Sequence, residues 1–158
     1  MSELNVFKRV QNVMAEIGTV EKNGTNSFQR YDYATEADFI RAVQPLLVKH
    51  GLAMVLVEQQ ILGVIAQEDA NGKTGKFLTT LTSTYRIVNV DNPEDYLTVK
   101  AGGQGIDNGD KGVYKAITGA KKYAIANAFL IVTGDDPEKD QLTVKSSSNG
   151  RKTNVAEF

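Results

Sequence analysis

Lysine residues cluster in residues 111–130, a stretch whose pattern predicts a long helix. Lys111, Lys115 and Lys122 are separated by helical steps, so they share one face of that helix. Lys121 lies next to them in sequence, and the stretch contains no acidic residue. A row of cations without interspersed carboxylates suits a polyanion such as a phosphate backbone. The alternative is an ordinary solvated helix face, which many charged helices have.

Two tyrosines accompany basic residues in a polar segment nearer the N-terminus. Tyr31 and Tyr33 lie close to Lys22 and Arg30. Because their spacing is two residues, both rings face the same way if the segment is extended. Aromatic rings stack on bases without reading sequence while cations follow the backbone, which is what binding of a single strand requires. The alternative is that both tyrosines cover the core as amphipathic lids.

A glycine-rich segment, residues 102–109, precedes the lysine-bearing helix. Backbone N–H groups at such a position can donate hydrogen bonds to an approaching anion. Asp110 follows the segment and is predicted to cap the helix or to complement its N-terminal dipole. A nucleotide-binding phosphate loop is not indicated, because the Gly-Lys-Ser/Thr that binds phosphate and Mg²⁺ is absent after Gly109.

Four aspartates offer a different chemistry, since carboxylates can hold a metal for a nuclease. They are Asp107, Asp110, Asp135 and Asp136. A simpler interpretation assigns Asp110 to the helix cap and the last two to a turn after the helix. His50 is the only histidine, so one chain cannot form a histidine-based triad or a zinc site with several histidines.

The elements that position these residues can be predicted from hydrophobic spacing. Residues 4–17 have a helical pattern that ends near Gly18. Thr35 and Asp38 resemble a capping box, which starts a second helix that ends near Gly51. The second helix is expected to bury four apolar residues, Ala37, Ile40, Val43 and Leu47.

The middle of the chain is rich in β-branched residues. Residues 53–65, 76–90 and 96–101 read as strands, and Asn71-Gly72 is a strong hairpin signal. The prediction is an α+β domain, in which an antiparallel β-meander of at least three strands packs with a long C-terminal helix and two N-terminal helices.

Composition limits the classes of protein. The chain has 158 residues, a net charge of −1 and no cysteine, which suits one domain without disulfides in the cytoplasm. No apolar run approaches the length of a membrane span, and the N-terminus lacks a signal-peptide layout. The domain is predicted to cover residues 1–137. Residues 138–158 read as a polar, disordered tail.

The block around the long helix is similar to the signature of the ERF (essential recombination function) superfamily of phage annealing proteins. That signature has a Gly-Asp-Lys start at 109–111, a Lys-Ala-x-Thr-x-Ala-x-Lys-Tyr helix at 115–123 and a Thr-Gly-Asp-Asp-Pro end at 133–137. The upstream Tyr-x-Tyr-Ala at 31–34 also fits. The likeness spans residues 4–138, and longer members carry a larger C-terminal region.

The resemblance implies a protein that binds single-stranded DNA and pairs complementary strands without ATP, a cofactor or catalysis. It implies partners as well: single-stranded DNA, further copies in a ring, arc or filament, and a host or phage single-strand binding protein or exonuclease, with no membrane. Lys111, Lys115 and Lys122 would contact phosphates, and Lys121 also if the helix turns it toward the groove. Tyr31 and Tyr33 fall on the aromatic pair of the family.

Two further basic residues are groove candidates on the residues alone, Lys22 near the tyrosines and Arg86 on the long strand. Two other functions stay open at this point. One is the Mg²⁺-dependent nuclease, and the other is a protein-only scaffold of replication. Salt-sensitive DNA binding would separate the scaffold from the annealing protein.

Overall fold

The computed structural model describes residues 4–28, 30–68 and 70–133. These residues form an α+β fold, as predicted. The elements in chain order are α1 (Val6–Glu16), β1 (Gly24–Asn26), β2 (Tyr31–Tyr33), α2 (Glu36–Lys49), β3 (Leu52–Glu68), β4 (Thr74–Asn89), β5 (Asn92–Asp107) and α3 (Gly112–Phe129). The predicted boundary after residue 137 and the tail at 138–158 lie outside the described residues.

Three long strands form the main sheet, in the order β3-β4-β5, with both neighbouring pairs antiparallel. The predicted meander is therefore confirmed. The turn between β3 and β4 contains Gly72 at a positive φ of 74°, as its hairpin signal requires. Three register shifts, between Leu56 and Glu58, between Ile61 and Gly63 and between Gln67 and Glu68, interrupt the pairing of β3 with β4. Bulges of this kind bend a strand and increase its twist.

The main core lies at one end of the sheet, where α1, α2 and the second half of α3 meet. Val6, Val13 and Ile87 are fully buried there, together with Phe129 from the end of α3. Apolar contact between helices that are far apart in sequence therefore fixes this end. The other end of the sheet has no second layer over β3 among the described residues.

A buried arginine joins three parts of this core end. The Arg9 guanidinium donates from Nη2 to Asp91 Oδ2 at 2.6 Å and from Nη1 to His50 O at 3.0 Å and Gly51 O at 3.2 Å. Its side chain thereby links α1 to the end of α2 and to the turn between β4 and β5. The hydrophobic pattern of α1 contains no signal for these partners, because they come from residues distant in sequence.

Helix α2 begins as predicted. The Thr35 side chain accepts from the Asp38 backbone, and the Asp38 side chain accepts from the Thr35 backbone, so the capping box is complete. The predicted burial is wrong in two places, since Ala37 and Ile40 are exposed. Asp38 and Phe39 are buried in addition to Val43 and Leu47. Compared with the predicted burial, α2 is turned so that Asp38 faces inward. Its carboxylate accepts a hydrogen bond from Asn23, just before β1, whose Nδ2 lies 2.8 Å from Asp38 Oδ1.

These hydrogen bonds make the stability of the folded protein depend on pH in the acidic range. Donation from Thr35 and then from Asn23 holds the pKa of Asp38 well below its ordinary value of 3.8. Because the pKa is depressed in the folded state, the carboxylate stabilises the fold above about pH 4 and ceases to do so as the pH falls. We expect Asp38→Asn to flatten the decline of the urea midpoint between about pH 7 and about pH 3. Asp110→Asn, at an exposed aspartate, is the control, and an unchanged decline in Asp38→Asn would contradict the assignment.

Glycines in β5 bring α3 close to the sheet. Gly103 and Gly105 face the helix, and a Cβ atom on Gly103 would lie 2.8 Å from Ala120 N and closer still to Ala116 O. Residues 102–107 of the glycine-rich segment are therefore part of β5 and not a loop that presents N–H groups to an anion. The predicted cap is also wrong, because Lys111 occupies the N-cap position without a side-chain hydrogen bond. The Asp107 carboxylate accepts from Gly109 N at 2.9 Å instead.

Candidate nucleic-acid interface

The hairpin formed by β1 and β2 presents the two predicted aromatic residues on one side. The ring centroids of Tyr31 and Tyr33 are 6.1 Å apart, and the ring planes are tilted by 60°. The prediction that these residues face the same way is thereby confirmed. The Tyr33 ring covers Gly24 on the opposite strand, where a Cβ atom would come within 2.8 Å of it. Tyr33 thus packs on its own hairpin, while Tyr31 is 49% exposed.

A lysine from α3 completes this surface. Lys122 Nζ lies 5.4 Å from the centroid of the Tyr33 ring and 6.0 Å from that of Phe39, within the range of cation–π attraction. Tyr31, Tyr33 and Lys122 border an open cleft of about 510 Å³. The cleft is lined by Thr25, Asn26, Ser27, Tyr31, Tyr33 and Lys122. We call this surface the hairpin cleft. It combines an exposed ring, a cation and hydroxyl and amide groups, which are the chemical groups that bind a base and its phosphate.

Two of the other lysines on α3 have acidic partners. Lys115 Nζ donates to Asp107 Oδ2 at 2.5 Å and to Ile106 O at 2.9 Å, and Lys121 Nζ pairs with the Glu36 carboxylate. The Lys115 ammonium, followed by the Gly109 N–H, holds the pKa of Asp107 below its ordinary value. The absence of acidic residues within 111–130 therefore does not mean absence of acidic partners. Strand β5 and helix α2 supply them.

The remaining predicted positions are spread over the molecule. Lys111 is exposed beside the start of α3, about 16 Å along the helix axis from Lys122. The Arg86 guanidinium stacks on the Tyr96 ring at 4.1 Å. Its neighbours in β4 are buried under α3, so by strand alternation Arg86 points to the opposite side of the sheet. Lys22 is half-buried just before β1. The structure therefore brings together Tyr31, Tyr33 and Lys122, and it does not place Arg86 with them.

Sequence reasoning missed the polar rim of the hairpin cleft. Thr25, Asn26 and Ser27 look like ordinary turn residues, and only the pairing of β1 with β2 places them beside the tyrosines. Asn26 Oδ1 also accepts from Phe28 N at 3.1 Å, which shapes the turn. A polar segment followed by two spaced tyrosines was the available signal for a hairpin. The signal did not reveal which α3 lysine would face that hairpin.

The four aspartates proposed for a metal do not all fall within the described part of the chain. Asp107 is bound by Lys115 and Gly109, Asp110 is exposed, and Asp135 and Asp136 lie outside it. Over residues 4–28, 30–68 and 70–133, no three histidine, cysteine, aspartate or glutamate side chains are grouped as metal ligands. None of the helices described here has both the length and the apolar character needed to cross a membrane.

Comparison with known proteins supports the family resemblance. Residues 6–157 match the sequence model of the ERF superfamily. The match includes the hairpin, the sheet and the lysine-bearing helix. No curated protein sequence matches the chain.

Proposed function

This chain belongs to the ERF superfamily, and from that premise we propose that it binds single-stranded DNA and anneals complementary strands without ATP. Membership supports a general role in phage recombination and strand annealing, and the family is one of annealing proteins and not of conventional enzymes. The proposed role places the protein with DNA in the cytoplasm of the bacterial host. The hairpin cleft is the surface proposed to hold the strand.

The observation that carries this proposal is the hairpin cleft, in which Tyr31 and Tyr33 lie together with Lys122 against one open surface. A base stacks on the exposed ring of Tyr31, because every base has a π-face and stacking requires no particular sequence. The ammonium of Lys122 neutralises the adjacent phosphate. Sequence-tolerant contacts of this kind suit a protein that must accept any strand offered for pairing.

Annealing also requires that the strand keep its pairing edges free. Contacts to phosphates and ring faces leave the Watson–Crick edges of the bases available to a second strand. Lys111 and Lys115 on the same helix extend the cationic path beyond the cleft. Neutralised phosphates repel an approaching strand less, so pairing accelerates without any covalent step. In this mechanism ATP has no role.

A single domain offers few cations, so we propose that several copies act together as a ring, arc or filament. Each copy then contributes one hairpin cleft to a longer path along the strand. Multivalent contact raises the overall affinity well above that of one site without any new kind of contact.

The decisive experiment is the pairing of two complementary fluorescent oligonucleotides without ATP, with and without Mg²⁺, followed by a denaturing gel. We expect pairing to be accelerated several-fold, with every strand still at full length and with no change on removal of Mg²⁺. Strands shortened only when Mg²⁺ is present would instead favour the nuclease. If the protein is folded by circular dichroism but neither binds nor pairs the oligonucleotides, the result would favour the protein-only scaffold and overturn the proposal.

A further inference from the structure

Strand β3 exposes an unusual amount of apolar surface at the edge of the sheet. Seven of its apolar side chains are 46–59% exposed. They are Val55, Leu56, Val57, Ile61, Leu62, Val64 and Ile65. Edge strands are normally protected by lysine, by proline or by being short, but β3 is 17 residues long and contains neither residue. Its protection is limited to its bulges and to the exposed carboxylates of Glu58 and Glu68. We call these residues the β3 strip.

The side of β3 that faces the same way as the helix layer is bare. Helix α3 covers β5 and β4, with Leu81 under Ala116 and Ala120. In the β3–β4 register, Leu56 lies opposite Tyr85 and Ile61 lies opposite Leu81, so both belong to this same side. Both side chains remain about half exposed. The result is an apolar trough that runs beside α3 along the length of β3.

One end of the trough is a cavity of about 330 Å³ between α2, α3 and β3. Its lining includes Met54, Leu56 and Ile125. Tyr85 also lines it, is only 4% exposed, and has no hydrogen-bond partner for its hydroxyl among the described residues. A buried hydroxyl without a partner is unfavourable, and its cost is removed when an acceptor reaches it. The cavity and the β3 strip therefore form one incomplete surface.

We infer that the β3 strip binds strand β5 of a second copy of this chain. Strand β5 is 16 residues long and is the outermost strand on the other side of the sheet, so its outer edge also lacks a strand partner among the described residues. It carries α3 on one face. When β5 of a second copy lies beside β3, the α3 helix of that copy lies over the bare trough. A pair of β3 strands would leave both troughs uncovered.

The two strands match in length. The stretch from Val55 to Glu68 is about 45 Å long, and the 16 residues of β5 are enough to pair along all of it. The contact joins different surfaces of the two copies, so each added copy still offers a free β3 and a free β5. It therefore generates the ring or filament on which the proposed function rests.

The first test introduces charge into the β3 strip. Val64→Lys combined with Ile65→Lys places one lysine on each side of the strand, at exposed positions that do not support the core. We expect sedimentation velocity to detect assemblies of the parent chain, and the double variant to self-associate at least tenfold more weakly. Val48→Lys, at a 74% exposed apolar residue on α2, is the matched control and should assemble normally. Parent-like assembly of the double variant, or a parent chain that stays monomeric, would overturn the inference.

The second test identifies the partner strand and does not depend on the folding of the charged variant. Because the chain contains no cysteine, Gln60→Cys in β3 and Lys100→Cys in β5 each introduce one unique thiol. A short bis-maleimide should cross-link a mixture of the two variants and leave each variant alone largely uncoupled. Efficient coupling of Gln60→Cys with itself would instead assign a β3–β3 pair, against the inference.

A third measurement separates this inference from the proposed function. A short oligonucleotide needs only one hairpin cleft, so the monomeric double variant should bind it with the affinity per site of the parent chain and lose annealing of long strands. If the parent protein assembles but does not bind a short oligonucleotide, the result would count against the proposed DNA-binding function and leave the proposed interface standing. Full annealing by a monomeric variant would overturn the link between them.

Discussion

Gly103→Ala is expected to destabilise the fold by about 3 kcal/mol or more, the largest stability effect of any single change considered. A Cβ atom at this position would lie 2.8 Å from Ala120 N and closer still to Ala116 O. Both contacts are with the backbone of α3, which cannot turn aside as a flexible side chain can. The helix must therefore move away from β5 and lose its packing on Leu81. Thermal or urea unfolding followed by circular dichroism measures the change, with a fall in melting temperature of about 6–12 °C.

The adjacent glycine provides the control for this prediction. Gly102 lies on the other side of the strand, where the nearest atom to an added Cβ is Leu81 O at 3.9 Å. The free energy of unfolding of Gly102→Ala should therefore lie within about 1 kcal/mol of that of the parent chain, because alanine also restricts the unfolded state. Equal stability of the two variants would mean that the missing side chain at Gly103 does not set the distance between helix and strand.

Tyr31→Ala is expected to weaken binding of single-stranded DNA about tenfold or more, since stacking on an aromatic residue contributes about 1–3 kcal/mol per base. Tyr31 is the cleaner position for this test, because its ring is half-exposed at the hairpin cleft whereas Tyr33 packs over Gly24 and supports the hairpin. The loss should be similar for oligonucleotides of different sequence. Fluorescence anisotropy with a labelled oligonucleotide at a fixed salt concentration measures it.

Two variants show whether the loss is due to stacking. Tyr31→Phe keeps the ring and should retain nearly all of the affinity. Phe7→Ala removes a ring of comparable exposure, 65%, from α1 and should leave binding unchanged. An affinity of Tyr31→Ala that equals that of the parent chain would remove the hairpin cleft from the binding surface. An equal loss in Tyr31→Phe would assign the effect to the hydroxyl and not to stacking.

The lysines of α3 have different electrostatic surroundings, which is why the candidate site lies at the hairpin cleft and not along the whole lysine row. Lys115 and Lys121 are each paired with a carboxylate from another element, which partly neutralises the row. The Lys115 pair is largely exposed, and at such a position an ion pair contributes little to stability and a phosphate can compete for the lysine. The Lys122 ammonium lies near two aromatic rings, so a cation and a stacking surface are together at the hairpin cleft.

Local chemistry was enough to determine much of this protein from its sequence. The capping box at Thr35 and Asp38 and the hairpin turn at Gly72 each depend on residues close together in the chain. Periodicity separated helices from strands for the same reason, because it reports which residues share a face. The α+β class followed from these features.

Only the tertiary structure decided which surfaces meet. The sequence predicted that Gly103 belonged to a phosphate-approaching loop, but its role depends on how closely α3 lies over β5. Two lysines of the predicted cluster, Lys115 and Lys121, have carboxylate partners because Asp107 and Glu36 arrive from a strand and another helix. The exposed β3 strip was equally invisible, since an apolar strand looks the same in sequence whether its own chain or a second copy covers it. Contacts of this kind join residues distant in sequence, so no local pattern encodes them.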